Sequence, residues 1–176
     1  MEKLIFNKIV DANGRVAYEF IHVPMLWLNF SGREGRYNPE GKRNFNILLP
    51  QDVADQMRAD GFNVKEKLAR DENEEVGYTM KVNVNMKSFN PPTVLLKNNH
   101  GVRELTEDSV CQLDTAIIMD SRIMVVPHHY EDFTTAYLKE LEATVYESPL
   151  DSKYLDEEDS ATNTMTFAAI KKASDE

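Results

Sequence analysis

The chain has one cysteine in 176 residues, Cys111, so a disulfide framework is excluded. Its alternating apolar context predicts a small buried thiol. Long apolar runs are also missing. The N-terminus, MEKLIFNKIVDANGRV, has no signal-peptide core, and no stretch approaches membrane-spanning length. Both absences point to a reducing, intracellular compartment. Nucleotide-loop signatures are missing too. GREGRYNPEG has glycines, but neither the P-loop spacing with its Lys-Ser/Thr nor GxGxxG. There is no nucleophile elbow, no HExxH and no Ser/His/Asp order. His128 and His129 are adjacent, and strand neighbours point to opposite faces, so they make a poor metal pair. His22 and His100 stand alone and read as surface or locally bonded residues. No metal or cofactor is expected.

Positive charge is scarce overall, with a formal net charge of −10. Phosphate binding needs clustered Lys and Arg, so the distribution decides. Residues 1–50 carry seven Lys/Arg against five Asp/Glu, and residues 77–130 carry five against five. The excess acid lies in residues 51–76, four against eight, and in residues 131–176, four against twelve. A local cationic groove is therefore allowed elsewhere.

What is present is mostly period-2 alternation. In YTMKVNVNMK, Tyr78, Met80, Val82, Val84 and Met86 share one face, while Thr79, Lys81, Asn83, Asn85 and Lys87 share the other. That is a half-buried strand with a polar, cationic front. Further strands are expected at 23–30, 43–49, 93–97, 113–120 with 122–127, and about 136–147. QDVADQMRADG predicts a helix with Val53, Ala54 and Met57 on one stripe and Gly61 as a left-handed cap. TEDSVCQL predicts a short turn capped by Thr106. Residues 131–147 admit helix or strand, with TVYES favouring strand at the end. About six strands and one helix fit a mainly β fold, an OB-fold-like β-barrel with one short helix between strands. Residues 1–150 then form one domain. Residues 151–176 read as a flexible acidic C-terminal tail with a short amphipathic piece at 165–172.

The stretch FSGREGRYNPEGKRNF, residues 30–45, gathers cations and rings between glycines. Single-strand binders combine a cationic groove with rings that stack on bases. The candidate contacts are Trp27, Phe30, Arg33, Arg36, Tyr37, Lys42 and Arg43, then Lys81, Lys87 and Phe89, then Lys97 and Arg103. Trp27 is out of phase with Leu26 and Leu28. Phe45 is in phase with Ile47 and Leu49 and belongs to the core.

The runs NFSGREGRYNPEGKRNFNILL, ADGFNVKEKLARDE, YTMKVNVNM, PPTVLLKNNHGVRELTEDSVCQLD and AYLKELEATVYESPLDSKY, in that order across residues 20–155, resemble the OB-fold single-stranded DNA-binding proteins encoded by tailed bacteriophages. The resemblance implies a non-catalytic β-barrel that coats single-stranded DNA during phage replication or recombination, in the host cell cytoplasm. It implies an acidic C-terminal segment that contacts replication or recombination partners or occludes the groove. Self-association is compatible with it. The chain departs from the family pattern at Phe62 and Thr115, where tryptophan is usual, in VVPHHYED, and in the closing KKASDE. Two other readings stand beside it: a protein-interaction or virion structural module, and a metal-dependent nuclease or other enzyme using the acids with His128 and His129.

Overall fold

The structure is a computed structural model, and it describes residues 2–67 and 77–146. The acidic tail expected over 151–176, its piece at 165–172 and the last residue of the strand expected to reach 147 lie outside the described residues. Among the described residues there are ten strands, one α-helix and one 3₁₀ turn. They are β1 (Ile5–Val10), β2 (Val16–Ile21), β3 (Met25–Asn29), β4 (Arg43–Leu49), α1 (Gln51–Ala59), β5 (Val64–Lys67), β6 (Gly77–Val84), β7 (Thr93–Asn98), β8 (Gly101–Leu105), the 3₁₀ turn Val110–Thr115, β9 (Ile117–His129) and β10 (Thr134–Tyr146). No helix among the described residues is long and apolar enough to cross a membrane.

The strands form one sheet in the order β1-β2-β9-β10-β6-β4-β3. β5 adds to β6, and the β7-β8 hairpin adds to β10. Most pairs are antiparallel. β10 runs parallel to β6 at Ala136 and Tyr137, and parallel to β7 from Glu140 to Thr144. β2 and β3 are separated only by His22, Val23 and Pro24. The bend is tied to β9: the His22 and Val23 N–H groups donate to the Ser121 carbonyl, and the Ser121 hydroxyl donates to the Val23 carbonyl.

The expected alternation in 78–87 holds on the core side, where Met80, Val82, Val84 and Met86 are buried. They meet Phe45, Ile47 and Leu49 of β4, so both strands turn one face inward. Burying these side chains stabilises the sheet by roughly 1.5–3 kcal/mol each. α1 covers the core with Val53, Ala54 and Met57. It ends as expected at Gly61, whose φ is 97°. The Phe62 N–H reaches the Met57 carbonyl and the Gly61 N–H reaches Arg58, a Schellman closure that satisfies two last-turn carbonyls.

Several expectations change. Within 131–146, the chain is strand over Thr134–Tyr146, because its pairing with β9 fixes the backbone. Residues 110–115, partly expected as strand, are a 3₁₀ turn. Thr106 does not cap it through its side chain; its N–H is bonded by the Ser109 hydroxyl oxygen, and its carbonyl accepts from Ser109 and Val110. Cys111 is exposed rather than buried, since that turn directs Val110 and Leu113 inward instead. β1, β2, β5 and β8 were not expected as strands.

Candidate nucleic-acid interface

The outward faces of β4 and β6 make a polar floor. Register pairs Asn44 with Asn83, Asn46 with Lys81 and Leu48 with Thr79. β5 adds Lys65 opposite Thr79. A groove of about 530 Å³ lies on this floor, with Trp27 and Tyr37 among its walls and Lys65, Lys67 and Lys81 along it. Among the described residues, Glu66 is the one acid lining it.

Trp27 reaches the groove through a local irregularity. β3 pairs with β4 at Leu26 and again at Asn29, with a register shift between. Trp27 sits in that gap with φ 51°, a left-handed conformation rare for an aromatic residue. The residue is 59% exposed. A strained, exposed tryptophan gains nothing for the core, and points to a surface role.

The loop from Ser31 to Lys42 is a tied hairpin. Gly35 and Asn38 exchange backbone hydrogen bonds of 2.8 and 3.1 Å, leaving Arg36 and Tyr37 at the tip. Tyr37 is 85% exposed, and the Arg36 guanidinium lies over its ring at 5.4 Å. At the neck, Gly41 N–H donates to Gly32 O, and a Cβ on Gly32 would stand 3.0 Å from the Gly41 carbonyl carbon. The Asn38 amide donates to the carbonyls of Arg33 and Lys42. The Asp114 carboxylate accepts from the Phe30 and Ser31 N–H groups and from the Ser31 hydroxyl. The loop is thus held from inside and from the 3₁₀ turn.

The structure sorts the candidate residues. Trp27, Tyr37 and Lys81 are brought together in the groove. Arg36 and Lys42 are exposed on the loop beside it. Arg33 is exposed, but its guanidinium is turned back onto the Leu28 carbonyl at 3.1 Å. Phe30 corrects the expectation of a base-stacking ring: it is fully buried and stacked on Phe45 at 5.3 Å. The bulge after Leu26 shifts the strand phase and turns Phe30 inward. Arg43 shares the core-facing phase of Phe45, opposite Val84, and its Nη1 is buried without a hydrogen-bond partner. It is therefore not on the groove floor. Lys87 is exposed and faces Glu107 at 3.6 Å, next to Phe89, which is 98% exposed. Lys97 pairs with Glu142, and Arg103 donates to Gln112, both on the β7-β8 side of the sheet. Neither lines the groove.

Comparison with known proteins decides the family. The family model described as "Putative phage ssDNA-binding domain" matches residues 16–175. The chain belongs to this family. It is a family of non-catalytic, single-stranded DNA-binding proteins of phages. The single-stranded DNA-binding protein of bacteriophage Enc34, in complex with ssDNA, superposes with a TM-score of 0.51 at 13% identity, covering 85% of this chain and 96% of that one. A second structure of the bacteriophage Enc34 single-stranded DNA-binding protein gives 0.49 at 13%, covering 84% of this chain and 93% of that one. At such identity the likeness is one of fold. No curated protein sequence matches the chain.

A second set of exposed rings, which no local spacing in the sequence marks, lies beside this face. The β9-β10 connection places Tyr130 and Phe133 in a stacked pair at 4.9 Å, both about half exposed. His128 lies 4.7 Å from Tyr130 and 5.7 Å from Tyr137. Tyr137 is the register partner of Asn83, so these rings border the same outward face as the floor. Tyr130's hydrogen bond, with some burial, raises the Tyr137 phenol above its usual pKa. His129 turns away and bonds the Thr134 hydroxyl. Among the described residues no three His, Cys, Asp or Glu side chains gather as a metal site would need.

Proposed function

We propose that the protein binds single-stranded DNA along the outward faces of β4 and β6, between the loop 31–42 and the connection 130–133. Binding is largely independent of sequence and protects the strand during phage DNA replication or recombination. The observation that carries this reading is the groove itself. In a chain of net charge −10, three lysines and two exposed rings converge on one polar sheet face. Rings that have no core to fill offer stacking worth about 1–3 kcal/mol per base, and lysines displace counterions from the backbone.

The same reading closes the sheet as an OB-like barrel, with β2 and β3 acting as one bent strand. The bend at His22–Pro24 lets β2 pair with β9 while β3 pairs with β4. Replication or recombination proteins are the proposed contacts of the acidic residues after 150.

Competition on an immobilised oligo-dT tests the proposal. Free single strand should displace the protein, and duplex of equal length should compete at least tenfold less well. Equal competition by duplex, or no retention at low salt, overturns it.

A further inference from the structure

The groove floor is built of amides where a stacking surface would carry rings. Four asparagines around it are committed to the fold. Asn29 and Asn38 bond the loop backbone, Asn44 donates to Asn38, and Asn83 donates toward the Ala136 carbonyl. Asn46 and Asn63 differ. Both line the groove, and among the described residues neither amide has a hydrogen-bond partner. Asn46 is opposite Lys81 in register. Val64 pairs with Met80, so Asn63 stands one residue beyond, level with Lys81 on its other side. Lys81 is exposed and has no ion pair among the described residues. Trp27 is exposed on the neighbouring strand, next to Leu26, the register partner of Asn46.

An amide supplies one acceptor and two donors in a plane, which complements the edge of a base. An ammonium supplies donors only, which suits a carbonyl oxygen. A single strand exposes its pairing edges, so these groups meet edges that a duplex hides. We infer that Asn46, Lys81 and Asn63 form a base-edge subsite in which a base held against Trp27 is hydrogen-bonded through its pairing edge, with carbonyl-bearing bases preferred. The inference rests on the single-strand reading above. It adds that affinity has a base hydrogen-bonding component besides stacking and phosphate contact. Because an asparagine amide complements several edges, the subsite tolerates sequence while still requiring an edge.

The test compares oligo-dT with an oligonucleotide of the same length carrying 2,4-difluorotoluene, a thymine-shaped ring without its carbonyl and imide groups. The wild-type protein should bind oligo-dT roughly tenfold more tightly, the factor expected from one good edge contact. In Asn46→Leu and in Asn63→Ser that ratio should fall toward one. Asn63 lies outside the strands, so its variant guards against a folding defect in the other. A wild-type ratio near one, or an unchanged ratio in both variants, overturns the subsite and leaves the groove intact. Failure of the wild type to bind either oligonucleotide at low salt removes the underlying reading instead.

Discussion

The rings of Phe30 and Phe45 stack at 5.3 Å with an interplanar angle of 23°, and both are fully buried. Trp27, three residues before Phe30, is exposed. One bulge separates a core ring from a surface ring, and the two should respond oppositely to truncation. Phe30→Ala should cost about 3–5 kcal/mol of stability, the range for removing a buried ring. Trp27→Ala should leave stability nearly unchanged and weaken oligo-dT binding by about 1–3 kcal/mol. Chemical denaturation and anisotropy titration of both variants check the pair.

The position of Arg43 was open to correction from the sequence, because Arg43, Phe45, Ile47 and Leu49 follow one period-2 phase. The core face of β6 was legible for the same reason: burial on one side enforces alternation. Other features left no such mark. β1 exposes Ile5, Ile9 and Val10 at the sheet edge, so its apolar residues do not alternate with burial. β5 has only four residues, and its identity comes from pairing with β6. The phase error that put Phe30 on the surface arose because a bulge adds a residue without changing composition. The cluster of His128, Tyr130, Phe133 and Tyr137 exists only once β9 pairs with β10, and no local spacing announces it.

Asp114 shapes the binding loop without lining the groove. Its carboxylate accepts the Phe30 N–H at 2.6 Å and the Ser31 N–H at 3.0 Å. Asp114→Ala leaves those donors unpaired and should cost about 1–3 kcal/mol of stability. It should also weaken oligo-dT binding through the loosened loop. Faster amide exchange over residues 30–42, seen by hydrogen-exchange mass spectrometry, separates this from a loss of contact.

Acid should destabilise the fold through three carboxylates. The Tyr18 hydroxyl, then Lys8, hold Asp60 below its ordinary pKa. The Asn7 amide and Arg122 do so for Glu19, and Lys97 with Arg122 for Glu142. A folded pKa below the unfolded value gives stability that is complete above the unfolded pKa. It is lost as pH falls through the folded one. The denaturation midpoint should stay level from about pH 7 to 5 and drop below about pH 4. In Asp60→Asn that drop should be shallower, as measured by urea denaturation across pH.

The counterion content of binding should track the groove lysines. Lys81→Ala should lower the slope of log affinity against log salt by about 0.7, one phosphate contact on a single strand. Arg43→Met, on the core-facing phase, should leave the slope unchanged. Equal effects in the two variants would place the strand on a different path.

The central claim is that the face of β4 and β6 between the two loops carries the strand. Titration of oligo-dT in increasing salt, with the wild type and Trp27→Ala/Lys81→Ala side by side, tests it most directly. The account predicts a linear fall in log affinity with log salt for the wild type. It predicts a weaker and shallower line for the double variant at unchanged thermal stability. Superimposable lines for the two proteins would contradict it.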